Sequence, residues 1–142
     1  MKVSDIVTRA LVVIPSDGSV LEASKLMVQN NIGLLVVCDV HDNTKLVGVI
    51  SERDIIKSIA LVEKLPTHVD AIRTKNVITV KANSDVAEAA KAMNKHGIRH
   101  VVVVDDRNIP MGVVSMRDLV GERATLNAIL QSHEKEVFVG GD

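Results

Sequence analysis

The sequence predicts an α/β protein made of two tandem β-α-β-β-α repeats packed about a pseudo-twofold axis. Three observations predict it: the chain is written twice, its β-branched runs alternate with amphipathic helical stretches, and each copy alone would be only marginally stable. Shifting the 142 residues by 66 positions lays Val20, Glu22, Ala23, Lys25 and Met27 on Val86, Glu88, Ala89, Lys91 and Met93. The same shift lays Ile32, Val36, Val37 and Asp39 on Ile98, Val102, Val103 and Asp105. A loop two residues shorter in the second copy then changes the offset to 64. With that offset, Gly48-Val49-Ile50-Ser51-Glu52-Arg53-Asp54 meets Gly112-Val113-Val114-Ser115-Met116-Arg117-Asp118. A unit of about 60 residues buries only about 60% of its unfolded surface, so the copies must pack on each other and leave equivalent clefts between them.

Each copy follows the same local grammar. The runs Leu11 to Ile14 and Val77 to Val80 read as first strands, each followed by a polar turn. Ser19 with Glu22, and Asp85 with Glu88, stand as N-cap and third helical residue and open a helix. Val20, Ala23 and Met27, like Val86, Ala89 and Met93, recur at three and four residues and give each helix one apolar face. Asn30-Asn31 and His96-Gly97 end these helices. Leu34 to Cys38 and Val101 to Val104 are continuous apolar runs, the pattern of strands buried on both faces. Turns are expected at Asp42-Asn43 and at Asp106 to Asn108, then strands through Val47 to Ile50 and Gly112 to Val114, then helices after Ser51 and Ser115. The expected organisation is a first repeat over 1–62, a connection over 63–68 containing Pro66, a second repeat over 69–121, and a helix and tail over 122–142 with Phe138.

Composition removes several classes of function. Seventeen Lys and Arg against 18 Asp and Glu leave a charge of -1, which argues against grip on nucleic acid by bulk positive charge. One Phe with no Trp or Tyr removes aromatic stacking platforms for single strands. Apolar residues make up 46%, enough for a core, yet no apolar run approaches the roughly 20 residues of a membrane span. No signal-peptide pattern opens the chain, and Cys38 stands alone, so a soluble cytoplasmic protein without disulfides is expected. There is no Gly-rich phosphate loop ending in Lys-Ser or Lys-Thr and no dinucleotide fingerprint. His96 and His100 have the spacing of a helical zinc pair, but Gly97 and the strand after it interrupt the helix. Neither metal, cofactor nor catalytic machinery is expected, and the protein is read as a non-enzyme.

The chemistry-bearing pattern is Gly-x-x-Ser-x-x-Asp, at Gly48, Ser51 and Asp54 and again at Gly112, Ser115 and Asp118. One reading is structural, since Ser-x-x-Asp is a helix N-cap with its acidic third residue. The other is that a strand delivers both side chains to an open helix N-terminus, where backbone N–H groups favour an anion. A carboxylate placed there can accept two hydrogen bonds from a ribose diol. A cap serine can also meet a ligand, so the readings are compatible. Arg99 and His100, at a strand entry, and Arg53 and Arg117, beside the acids, are candidates to neutralise phosphate. Their alternatives are a surface ion pair, a half-buried imidazole and a solvated helix face.

A duplicated unit closing in Gly-x-x-Ser-x-x-Asp resembles a tandem pair of CBS domains, the Bateman module, over about residues 1 to 120. Gly97-Ile98-Arg99-His100-Val101-Val102-Val103-Val104-Asp105 is typical of it, whereas the first copy has Gly33-Leu34 in place of Arg99-His100. The resemblance implies adenosine ligands (AMP, ADP, ATP or S-adenosylmethionine) between the repeats, with Asp54 and Asp118 on ribose and Ser51 and Ser115 near ribose and phosphate. It further implies base pockets borrowed across the pair. Thr8, Val12, Ile32 and Gly33 would face Asp118, and Thr74, Ile78, Ile98, Arg99 and His100 would face Asp54. Small Gly33 would leave room for a base beside Asp118. An energy or ligand sensor follows, with a homodimer and an effector protein as partners. Ala87, Ala89, Ala90 and Ala92 would either allow close helix packing in that dimer or serve the chain's own core. The competing reading is a structural protein with vestigial clefts.

Overall fold

A computed structural model describes residues 1–62, 68–121 and 130–131. The expected connection through Pro66 and the tail with Phe138 lie outside the described residues. A single 3-10 turn at Val3–Asp5 precedes β1 (Val13–Pro15), α1 (Val20–Asn30), β2 (Leu34–Asp39), β3 (Asp42–Ser51) and α2 (Glu52–Val62). A second turn at Val69–Ala71 precedes β4 (Thr79–Lys81), α3 (Val86–His96), β5 (His100–Val104) and β6 (Pro110–Ser115), and residues 116–121 are helical. Each repeat holds a three-stranded sheet, ordered β1-β2-β3 and β4-β5-β6. The middle strand pairs in parallel with the first and antiparallel with the third. No helix among the described residues is long and apolar enough to cross a membrane.

The caps form where the spacing predicts them. Ser19 Oγ accepts from Glu22 N at 2.9 Å, and the Asp85 carboxylate accepts from Ala87 N at 2.9 Å. Both helices then end on a left-handed residue, Asn31 (φ 52°) and Gly97 (φ 63°). Such a residue turns the chain back so that its own N–H can satisfy carbonyls of the last turn.

Two boundaries differ from expectation. The first strands start two residues late, because only Val13 to Pro15 and Thr79 to Lys81 lie opposite ladder partners on β2 and β5. Leu11 and Val77 pack between the sheets instead. In the first hairpin Asp42-Asn43 is strand, and the reversal falls at Val40-His41. There Asp39 accepts from His41 N at 2.8 Å, while Asp42 accepts from Thr44 N and Oγ1. The bonds with Thr44 hold the Asp42 carboxyl below its usual range.

Period-two alternation splits each middle strand between two cores. Leu35 and Val37 join Ile14, Ala23, Met27 and Ile50 under α1, and Val101 and Val103 join Val80, Ala89, Met93 and Val114 under α3. Val36 and Cys38 meet Val102 and Val104 between the two sheets, the layer that fuses the repeats. Burial, with a smaller contribution from Asp42, pushes the Cys38 thiol up, as an inert core cysteine requires. Ala89 and Ala92 pack in the chain's own core, whereas Ala87 is exposed.

Each repeat is completed by the segment that precedes the other. Val3 is fully buried in the second core, and its N–H donates to Ser84 O at 2.8 Å. Val69, equally buried, lies in the first core and donates to Gly18 O at 2.9 Å. The strands that follow these anchors form the walls of the clefts.

Candidate functional site

The two Ser-x-x-Asp boxes are reciprocal caps. Ser51 N donates to Asp54 Oδ2 at 2.9 Å and Asp54 N to Ser51 Oγ at 3.1 Å. Ser115 N donates to Asp118 Oδ2 at 2.8 Å and Asp118 N to Ser115 Oγ at 3.1 Å. The structural reading therefore holds in both copies, and it uses only one carboxylate oxygen. Among the described residues Oδ1 of each aspartate carries no hydrogen bond, so an acceptor stays fixed in direction and free for a ligand. The cap supplies orientation and leaves half of the carboxylate available.

Asp118 opens into a cleft of about 770 Å³. Its wall takes Arg9 to Val12 from the N-terminal segment, Asn31 to Leu34 and Glu52 from the first repeat, and Arg99, His100, Val113, Ser115 to Asp118 and Val120 from the second. Of the residues the sequence singled out, Val12, Ile32, Gly33, Arg99, His100, Ser115, Arg117 and Asp118 come together here. Thr8 is exposed and does not line the cleft, its neighbour Arg9 doing so instead. Ser51, Arg53, Asp54 and Thr74 lie elsewhere, around the first repeat's own box.

Two placements correct the sequence reading. Arg99 and His100, expected across from Asp54, line the Asp118 cleft. The reason is strand register: His100 pairs with Ser115, and Met116 N donates to Arg99 O at 2.8 Å, so the entry of each middle strand stays beside its own box. Ile78 and Ile98, also expected to face Asp54, pack on the core under α3. Gly33 lines the same cleft next to Glu52, where a Cβ built on it would stand 3.2 Å from Glu52 Oε1.

Arg9 and Glu52 are the functional candidates that sequence reasoning missed. A signal existed for Glu52, since it occupies the position of Met116 in an otherwise repeated Ser-x-Arg-Asp run. Three guanidinium groups, Arg9, Arg99 and Arg117, thus share the cleft with two carboxylates, Glu52 and Asp118. His100 sits among them. Burial lowers its pKa from the ordinary 6.5, Asp118 and Glu52 pull it back up, and Arg99 pushes it down. The cleft can accept a sugar diol at Asp118, an anionic group at the arginines and an apolar ring against Val12, Ile32 and Val113. No cluster of three or more His, Cys, Asp or Glu able to hold a metal occurs among the described residues.

Comparison with known proteins identifies the fold. The family model for the CBS domain matches residues 3–61 and 69–124. A 17.7 kDa protein of Acidianus ambivalens is 36% identical over 83% of this chain and 70% of its own length. Other curated relatives are longer, and the chain spans 22% and 59% of two from Methanocaldococcus jannaschii. Among solved structures, a CBS domain protein from Pyrobaculum aerophilum complexed with AMP superposes with a TM-score of 0.82 at 34% identity. That match covers 92% of this chain and 99% of the other. The CBS domain pair of protein MJ0100, complexed with 5-methylthioadenosine and S-adenosyl-L-methionine, gives 0.78 at 31% identity over 89% and 98%.

Proposed function

The chain belongs to the CBS-domain family, and on that footing we propose that it is a non-enzymatic regulatory module that binds an adenosine nucleotide (AMP, ADP or ATP) in the Asp118 cleft. The observation that carries the proposal is the oriented, half-free carboxylate of Asp118 in a cleft that also holds three arginines. The carboxylate takes the ribose hydroxyls, Ser115 lies near ribose and phosphate, and Arg9, Arg99 and Arg117 neutralise phosphate. Aliphatic side chains hold the base. Occupancy acts by favouring whichever conformation binds the nucleotide better, and a partner protein reads the result. A partner protein as effector is part of the same proposal.

A second ligand reading, S-adenosylmethionine, draws on Glu52, a second carboxylate beside Asp118 that suits a ligand carrying positive charge. Homodimerisation is part of the proposal as well. Ile56 on α2 is 64% exposed and its repeat equivalent Val120 is 51% exposed, an apolar pair suited to contact between copies.

Thermal unfolding with AMP, ADP, ATP and S-adenosylmethionine tests the reading, comparing the native chain with Asp118→Ala. A ligand at 100 times its dissociation constant stabilises by roughly 2.7 kcal/mol. We expect one of the four to do so, and Asp118→Ala to remove the effect. No shift with any of them would leave the clefts vestigial and the protein a structural or interaction module.

A further inference from the structure

The two boxes agree closely, but the strands that wall them do not. After the anchor Val69, the chain runs along the outer edge of β3. Val49 N donates to Thr74 O at 3.0 Å, and Thr74 N donates to Val49 O at 2.8 Å. Arg73 fastens this strand from both sides, its Nε donating to Asp70 Oδ1 at 2.7 Å and its NH1 group to the carbonyl of Val47. The Arg73 side chain is only 15% exposed. A Cβ on Gly48 would stand 2.8 Å from Thr74 O, so the strap lies directly against the strand that leads into Ser51 and Asp54.

At the second repeat the same positions carry other residues. The equivalents of Arg73, Asp70 and Val47 are Val7, Ser4 and Met111. Valine has no donor for a strand carbonyl, and serine has no charge to hold it. Among the described residues no hydrogen bond joins Thr8 to Val113, the pair equivalent to Thr74 and Val49. Val113 instead lines the open cleft beside Asp118. Val49 turns its N–H and C=O outward to Thr74, so Val113, at the same place in the repeat, turns an unpaired donor and acceptor outward. A partly buried strand edge needs partners for such groups, and a bound base can supply them.

From this difference we infer that the chain has one working nucleotide cleft, at Asp118, and that the cleft at Asp54 is held shut by the Arg73–Thr74 strap on β3. The inference rests on the proposed adenosine-binding reading and adds which cleft works and what closes the other. It makes Arg73 a positioning residue that sets how many ligands a chain takes up.

Isothermal titration of the full chain with AMP, ADP, ATP and S-adenosylmethionine, each separately, gives the test. We expect one ligand per chain, with affinity weakened about a hundredfold by Asp118→Ala and unchanged by Asp54→Ala. In Arg73→Val the strap loses its clasp and the stoichiometry rises toward two, with the second event removed by adding Asp54→Ala. Because Arg73→Val could weaken the fold, Arg73→Lys is measured beside it; its shorter donor set should release the strap in part and give a weak second event. Two ligands on the native chain, or equal losses from the two aspartate changes, would overturn the inference and keep the adenosine reading. A stoichiometry of one in both Arg73 variants would overturn the role of the strap. Absence of binding by all four would overturn both this inference and the reading beneath it.

Discussion

The clefts at Asp54 and Asp118 make a controlled comparison inside one chain. Their caps agree to within 0.1 Å in each hydrogen bond. Their walls diverge: one is a strand latched by Arg73, the other an unlatched segment that carries Arg9 into a cleft of about 770 Å³. A duplicated motif therefore preserves the local hydrogen-bond box, which four consecutive residues decide. It does not preserve the cavity, which depends on a segment about 25 residues away in sequence at the latch (Arg73 to Val47, separation 26).

The comparison can be broken most strongly through the exchanged anchors. Val3→Ala and Val69→Ala each remove apolar contact from a fully buried site, and each should cost about 1.5–3 kcal/mol in urea unfolding. Their consequences for binding should differ. Val3→Ala loosens the wall of the open cleft and weakens nucleotide binding, whereas Val69→Ala loosens the strap and leaves the Asp118 cleft intact. Equal losses of affinity would dissolve the distinction between the two walls.

Arg99 sharpens the comparison from the ligand side, because its equivalent in the first repeat is Gly33. Removing one charge-assisted contact costs roughly 1.5–3 kcal/mol, so Arg99→Ala should weaken AMP at least tenfold. Adenosine, which lacks the phosphate, should lose little. If adenosine and AMP weaken together in a titration, Arg99 shapes the pocket and does not meet phosphate.

The paired glycines come next. An added methyl at Gly48 meets the backbone oxygen of Thr74 at 2.8 Å, while at Gly112 it meets Val7 Cγ1 at 2.5 Å. Neither neighbour is the far end of a flexible side chain: one is backbone, the other a stiff β-branched valine. Both Gly48→Ala and Gly112→Ala should therefore destabilise by about 1 kcal/mol or more, partly offset in each by the stiffer unfolded chain. Thermal melts of the two variants decide it, and a neutral Gly48→Ala would mean the strap is softer than its hydrogen bonds imply.

The smallest expected effect is the pH dependence set by His100, which has no counterpart in the first repeat. Its folded-state pKa lies below the ordinary 6.5, chiefly through burial, against the opposing pull of Asp118 and Glu52 and with the push of Arg99. The unfolded chain therefore binds the proton more readily. The associated stability is present above pH 6.5 and is lost as pH falls toward the folded value. Denaturant midpoints between pH 7 and 5 should decline in the native chain and flatten in His100→Gln. A decline of equal slope in the variant would assign the effect to other groups.

Much of this was legible in the sequence because the information is local or periodic. The 66-residue repeat, the Ser19 and Asp85 caps, the Gly97 stop and the apolar runs each state a short-range preference that the fold keeps. The Ser-x-x-Asp boxes were legible for the same reason, since four consecutive residues suffice to close the ring of hydrogen bonds. The partners of Asp118 were less so. Arg99 and His100 were read on the wrong side because the resemblance suggested borrowing across the repeats, whereas antiparallel pairing of His100 with Ser115 keeps them at home. Arg9 and Glu52 were missed because they come from segments distant in sequence from Asp118.

What the sequence by itself determined is the duplicated α/β unit, its caps and the two carboxylates, since backbone propensity and side-chain period act over a few residues. What only the tertiary structure decided is which strand each anchor strap lies against and hence which cleft stays open. That outcome turns on Arg73 reaching the carbonyl of Val47 and the carboxylate of Asp70 while Val7 can reach neither of their equivalents. Contacts of that kind exist only after the chain has folded back on itself, because no local preference encodes the distance between the groups that make them.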